Sequence, residues 1–402
     1  MERPSLLEHQ PTHVSRRAWL TLTVLLLLSI AAPLNQSKVP PILPILMETW
    51  GLPVGRAGLL MSVFAVTGLL LALPAGFIFH RVGYRGTGVL AGGSIALGAA
   101  LGALSPSIAV LLLGRVIEGI GTGFVAVMAP AVIAPWFPQR RGIALGIWAI
   151  WVPVGLLTML LLAPALASWG GWRSVWWFGC GYAVLTTLLF LLLVRPASTP
   201  SQAGTIPATQ RPAAVGATLR NPTIWWLGAA FACYCIAVFA VGTFLPTYIY
   251  TVRGMALAQA ARLTSLTSLM SILSGPAGGV ISDRIGSRKR VYLFGLVAAA
   301  VILPLTGAAN LSLLIVLIAA QGLFLSVTPP NIFAAAVETG RETGGSGLAM
   351  AVVMMGQNAG VLIGPLLFGA LAESPGGWGL AFASLPVICL LGVLAGAQAR
   401  VG

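Results

Sequence analysis

Three ionisable side chains lie deep inside apolar stretches of this sequence, and they are the first candidates for chemistry. Lys38 stands within Asn35-Gln36-Ser37-Lys38, while Arg115 and Glu118 stand three residues apart in Arg115-Val-Ile-Glu-Gly119. A charge near the centre of a bilayer costs roughly 2.5–3.5 kcal/mol on insertion scales, so such a residue faces a water-filled cavity or a partner. The i,i+3 spacing places Arg115 and Glu118 on one face of a helix. Two readings stay open for each cation. Lys38 either pairs structurally with Glu118 or binds a substrate anion, with Asn35 beside it; Arg115 either forms an ion pair with Glu118 or acts as a binding or coupling element. Glu118 is the acid placed well inside an apolar stretch, and so the carboxylate able to carry a proton. Two cations against one carboxylate favour an anionic or polar neutral partner over a cation.

The elements that hold these residues must be membrane helices. The chain has 402 residues, 58% of them hydrophobic and 7% charged, with a mean hydropathy of +0.96; a water-soluble domain of this length does not carry so little charge. The formal charge of +14 does not indicate nucleic acid, because the cations sit in short loops rather than on one solvated face. Cys180, Cys233, Cys235 and Cys389 all lie in apolar stretches without CxxC spacing, so neither a metal nor a disulfide framework is indicated. The sequence has no P-loop, nucleophile elbow or metal-ligand cluster, and an enzyme, a cofactor or ATP-driven pumping is not expected.

Crossing about 30 Å of hydrocarbon takes roughly 20 residues. Twelve stretches qualify: 18–46, 54–78, 87–105, 108–134, 142–166, 173–194, 223–250, 258–282, 291–308, 311–336, 346–372 and 379–398. Between the two sets, residues 195–222 are rich in Pro, Ser, Thr, Ala and Gln and read as a flexible linker. The expected fold is an all-α membrane protein with twelve transmembrane helices in two pseudo-symmetric six-helix bundles. The bundles are placed at 18–194 and 223–398, with cytoplasmic tails at 1–17 and 399–402. With the N-terminus inside, most loop cations fall on the cytoplasmic side, and only Arg56, Arg173, Arg253 and Arg262 fall opposite. Both termini are therefore expected in the cytoplasm, with the chain in the plasma or inner membrane.

One segment occurs twice. Gly76-Phe-Ile-Phe-His-Arg81-Val-Gly83-Tyr-Arg85 returns as Gly279-Val-Ile-Ser-Asp-Arg284-Ile-Gly286-Ser-Arg288, at an offset of 203 positions. A match of this kind at half length, among apolar runs, points to paired halves. Shifted by 202 or 203 positions, Lys38 maps to Ala240, Arg115 to Ile318, Glu118 to Gln321 and Gly119 to Gly322. Charge recognition then belongs to the first half, and the second half offers neutral groups: Tyr234, Thr243, Gln321, Ser326, Asn331, Gln357 and Asn358. Each of these also has a structural reading as interhelical glue.

The repeated segment resembles the loop signature G-x-x-x-D-R-x-G-x-R of the major facilitator superfamily, found between helices 2 and 3 and echoed between helices 8 and 9. Gly279, Asp283, Arg284, Gly286 and Arg288 match it fully; in the first copy Gly76, Arg81, Gly83 and Arg85 match, with His80 where the family has Asp. Arg115 to Gly119 is similar to the family's helix 4 motif R-x-x-Q-G, and Leu43-Pro44 and Leu245-Pro246 occupy its usual places late in helices 1 and 7. The resemblance implies a secondary transporter working by alternating access; the alternatives are an exporter of a neutral or drug-like compound and, in a different class, a membrane sensor or scaffold that has lost transport. The transporter's partners would be a small-molecule substrate, protons or an exchanged anion, and membrane lipid, and it would act as a monomer. Within the superfamily, Met128 to Ile133 followed by Trp136 to Gly142 and Gly146-Ile-Trp148 look most like the cyanate and nitroimidazole porters, with the nitrate and nitrite porters as neighbours. Nitrate porters carry arginines midway along helices 2 and 8, where this chain has Leu71-Ala72-Leu73 and Leu273-Ser274-Gly275. The repeated loops are expected to latch a gate. Their glycines let backbones approach, and an acid at a helix end can hold an arginine or a facing helix N-terminus. His80 is not an anion at neutral pH, which leaves the acidic latch intact in the second copy alone. The alternative is that these arginines serve as topology anchors.

Overall fold

A computed structural model describes residues 15–71, 74–195 and 212–401; among them the regular structure is helical, without strands. Among the described residues, ten helical spans are long and apolar enough to cross a membrane. The first four are α1 (Arg16–Trp50), α2 (Val54–Leu71), α3 (Arg81–Ala103) and α4 (Ile108–Trp136). The next, Gly142–Leu193, has 52 residues and breaks at Gly170 and Gly171. It doubles back there. A Cβ added at Gly155 would meet Pro33 and Leu34, and one at Gly179 would meet Asn35, yet the intervening residues as straight helix would hold those sites about 36 Å apart. The two arms are α5 (142–169) and α6 (172–193).

The second half contains α7 (Pro222–Arg253), α8 (Leu257–Ile285), α9 (Arg288–Ala308), α10 (Leu311–Glu342), α11 (Ser346–Glu373) and α12 (Gly377–Gln398). With 29 residues α8 is long enough to cross, but Thr264, Ser265, Thr267 and Ser268 dilute its apolar character. Counting α8 and both arms of the doubled span brings the ten spans to twelve among the described residues. Helices α1 to α6 pack on one another, as do α7 to α12. The two bundles meet where α2 lies against α11, where the α5–α6 hairpin lies against α8, and where a turn of α1 lies against α7 and α8.

The sequence repeat is also a backbone repeat. Gly51 and Gly254, which cap the ends of α1 and α7, have φ of 58° and 67°, and the loop glycines Gly83 and Gly286 have φ of 68° and 67°. Each pair is separated by the same 203 positions. Left-handed backbone of this kind is open to glycine at little steric cost.

The structure differs from the sequence reading in three places. The first apolar stretch is not one helix: it is helical to Gln36, interrupted, and resumes through a 3₁₀ turn at Pro40–Ile42 to reach Trp50. Part of the expected flexible linker is the helix Pro212–Arg220. It is tied to the α10–α11 corner by Thr218 Oγ1 and Thr343 Oγ1 at 2.8 Å and followed by Asn221, which caps α7; residues 196–211 lie outside the described residues. Helix α2 has irregular turns at Gly58 and Val63, and Ala72 and Leu73 lie outside the described residues. Below, the face bearing Arg16 and Arg288 is the terminal face, and the face bearing Trp50, Val54 and Glu373 is the far face.

Candidate functional site

The break in α1 creates the site. An α-helical carbonyl pairs with the N–H four residues on, and Pro40 has no N–H to offer Gln36. The Arg115 guanidinium takes over that task from α4. Nη2 donates to the Gln36 carbonyl at 2.9 Å, Nη1 to the Asn35 carbonyl at 2.6 Å, and Nε to the Leu60 carbonyl of α2 at 2.9 Å. Its remaining interactions are with Glu118 Oε2 at 2.6 Å and with the Phe64 ring, 4.8 Å from the guanidinium carbon. A planar fork with five donors suits this work, because one residue satisfies orphan carbonyls of two helices.

Glu118 is shared. Its Oε1 accepts from Lys38 Nζ at 2.5 Å, and Lys38 also donates to Asn35 Oδ1 at 3.0 Å and lies 4.5 Å from the centre of the Trp176 ring. Asn35 in turn donates to the carbonyls of Ala31 and Gly179. The side chains of Lys38, Arg115 and Glu118 have no exposed surface. Gly98 of α3 completes the fit, since a Cβ there would lie 2.7 Å from the Glu118 amide nitrogen. The cluster therefore binds α1, α2, α4 and α6 together, and it keeps one cation in excess. Lys38 faces α4 and α6, inside the first bundle, rather than the seam between bundles.

The neutral candidates of the second half divide in two. Tyr234 donates to the Leu325 carbonyl at 2.9 Å, Gln321 to Thr306 Oγ1 at 2.9 Å, and Asn331 to the carbonyls of Gly278 and Val327. Ser326 donates to Ser271 Oγ at 2.6 Å and Thr243 to the Phe239 carbonyl. The bonds of Tyr234, Gln321, Ser326 and Asn331 lie around a π-helical turn at Gln321–Leu325 in α10, a local widening common at functional positions; that of Thr243 stays within α7. Gln321 is also the repeat counterpart of Glu118, so the two halves use equivalent depths differently: an ion cluster in one, a loosened helix in the other. Gln357 and Asn358 are half-buried, and Asn358 reaches the seam. Its Oδ1 lies 2.3 Å from where a Cβ of Gly68, on α2, would stand.

At the terminal face, Asp283 holds Arg288 at 2.6 Å, and Arg288 also reaches Glu338 of α10 at 3.4 Å and the Ser282 hydroxyl. All four residues belong to the second bundle. Arg81, Arg85 and Arg284 are exposed, and Gly76 and Gly279 are half-buried. The expected latch acid is thus paired inside its own bundle in this conformation.

The far face carries a contact that sequence reasoning missed. Glu373 Oε2 accepts the Gly55 N–H at 2.8 Å, across 318 positions of sequence. Beside it α2 and α11 touch through backbone: a Cβ at Gly58 would lie 2.4 Å from the Pro365 carbonyl oxygen, and one at Gly369 would lie 2.8 Å from the Val54 oxygen. A glutamate at a helix end looks like any solvated acid, so nothing in the sequence signalled it except the glycines spaced along α2.

Comparison with known proteins agrees with the fold. The model for the Major Facilitator Superfamily matches residues 25–288 and 254–398. A protein described as a probable sulfoacetate transporter from Cupriavidus necator is 24% identical over 401 residues, covering 93% of this chain and 92% of its own. The cyanate transport protein of Escherichia coli is 26% identical over 281 residues, covering 69% and 70%. Among solved structures, an inward-facing bacterial homologue of the human lysosomal transporter Spinster shares the fold, with a TM-score of 0.74 at 18% identity over 96% of each chain.

Proposed function

Because the chain belongs to the Major Facilitator Superfamily, and so is a multi-pass membrane transporter rather than an enzyme, we propose that it moves a small organic or inorganic anion by alternating access. The observation that carries this reading is the charge of the buried cluster, in which Lys38 and Arg115 face a single carboxylate, Glu118. Such an imbalance in a low-dielectric bundle attracts an anion and repels a cation. The names of two relatives, a sulfoacetate and a cyanate transporter, point the same way.

The roles follow from position. Asn358, at the seam, touches the substrate, with Gln357 next to it in the chain. Lys38 and Arg115, with Asn35 holding Lys38, supply the attractive potential from within the wall, and Tyr234, Gln321 and Asn331 hold the loosened segment of α10. By the distribution of loop cations the terminal face is cytoplasmic. The α2–α11 contact closes the far face in this conformation. Gly76, Arg81, Gly83 and Arg85, with Gly279, Asp283, Arg284, Gly286 and Arg288, form the gate on the cytoplasmic side. Moving one negative charge inward against about 100 mV costs roughly 2.3 kcal/mol, so uptake needs a co-transported proton or an exchanged anion. Glu118 is the acid available for coupling, and Arg115 sets its environment.

A thermal-shift screen of the detergent-solubilised protein tests the reading, with sulfonates, carboxylates, cyanate, nitrite, sugar acids and neutral heterocycles as ligands. An anion at 100 times its dissociation constant stabilises by about 2.7 kcal/mol, a readily measured shift. In Lys38→Ala, Glu118 keeps Arg115, so the variant is expected to stay monodisperse while losing anion-dependent stabilisation and uptake. Stabilisation by neutral heterocycles alone, or full anion response in Lys38→Ala, would remove the anion site as described.

A further inference from the structure

Glu373 is the last residue of α11, where the negative end of its own helix dipole disfavours an anion. Its carboxylate instead serves the other bundle, accepting the Gly55 amide at 2.8 Å among the free N–H groups that begin α2. An open cleft of about 400 Å³ lies over this junction, lined by Pro53, Gly55, Arg56, Ala370, Glu373 and Ser374. The ion pairs Lys38–Glu118, Arg115–Glu118, Arg288–Asp283 and Arg288–Glu338 each stay inside one bundle; the Glu373 bond crosses from one bundle to the other.

An interaction shifts a conformational equilibrium only when it differs between the two states. Bonds within a bundle survive when the bundles rock as bodies and so leave the equilibrium unchanged. The Glu373 bond cannot survive separation of α2 from α11 at the far face, and neither can the bare backbone contact of Gly58 with Pro365. We propose that Glu373 is the latch of the far gate, setting how much of the protein is closed on that side, with the Gly58 contact as the surface on which the gate seats. The proposal builds on the alternating-access reading, but it concerns the conformational equilibrium and is measurable without a substrate.

The experiment is a distance measurement by electron spin resonance between labels at Thr49→Cys and Pro375→Cys, both exposed at the far face on opposite bundles. The background carries Cys180→Ser and Cys233→Ser. Wild type is expected mainly at the short distance. Glu373→Ala should raise the long-distance population about three- to tenfold, as the loss of one charge-assisted hydrogen bond implies at a wet site. Glu373→Gln keeps an acceptor without the charge and should fall between. Gly58→Leu, which puts a branch into the Pro365 carbonyl, should give the open distance as the dominant species. A Glu373→Ala distribution superimposable on wild type, with Gly58→Leu open, overturns the latch. Liposome counterflow run in parallel separates the two readings: absent counterflow with the expected distance shift strikes the transport reading alone, and intact counterflow with unchanged distances strikes the latch alone.

Discussion

Glu118→Gln is expected to lower the stability of the solubilised protein by about 3–5 kcal/mol, the usual range when one partner of a buried ion pair is removed. The carboxylate is the shared acceptor of Lys38 at 2.5 Å and Arg115 at 2.6 Å, and its loss leaves two buried cations facing an amide. Adding Lys38→Met removes one of them. The double variant should therefore be more stable than Glu118→Gln alone, and a thermal double-mutant cycle reads the difference as the coupling between the two sites. A double variant no better than the single would show that Lys38 does not depend on Glu118, and the charge count behind the anion reading would lose its basis.

Arg115→Lys should lose about 1.5–3 kcal/mol of stability, the range for hydrogen bonds to charged groups, and reduce liposome counterflow more than tenfold. The substitution keeps the charge and removes the fork. Three carbonyls on two helices, those of Asn35, Gln36 and Leu60, depend on separate guanidinium nitrogens, and an ammonium presents its donors from a single point. Near-wild-type counterflow in Arg115→Lys would mean that charge alone matters at this position and that the capping of α1 is incidental.

The general plan was legible because it rests on signals that survive in one dimension. Apolar run length gave the helices, and the duplicated loop gave the halves and their register, which the left-handed glycine pairs Gly51–Gly254 and Gly83–Gly286 follow. The pairing of Lys38 with Glu118 was visible as one of two readings, since buried charges seek partners. What the sequence hid depends on how helices sit against one another. Residues 18–46 read as one apolar span, and the chain does not say that it breaks before Pro40 or that Arg115 will reach across to finish the broken end. The apolar composition of 195–222 is low, yet Pro212–Arg220 folds as a helix and is tied to the α10–α11 corner through Thr218. Lys38 lies well inside its span, but which way its side chain turns is set by Glu118, Asn35 and Trp176. Glu373 was invisible because its partner is a backbone amide 318 residues away.

The distance in sequence between Lys38 and its carboxylate has a consequence for how the protein is made. Lys38 enters the membrane with the first helix, and Glu118 is synthesised 80 residues later. At roughly 5–20 residues per second, the lysine waits about 4–16 s for its partner, carrying an insertion penalty of roughly 2.5–3.5 kcal/mol meanwhile. The seat of the first helix is therefore provisional until α4 arrives. It is decided not when the helix leaves the ribosome but when Arg115 and Glu118 close over the break at Pro40.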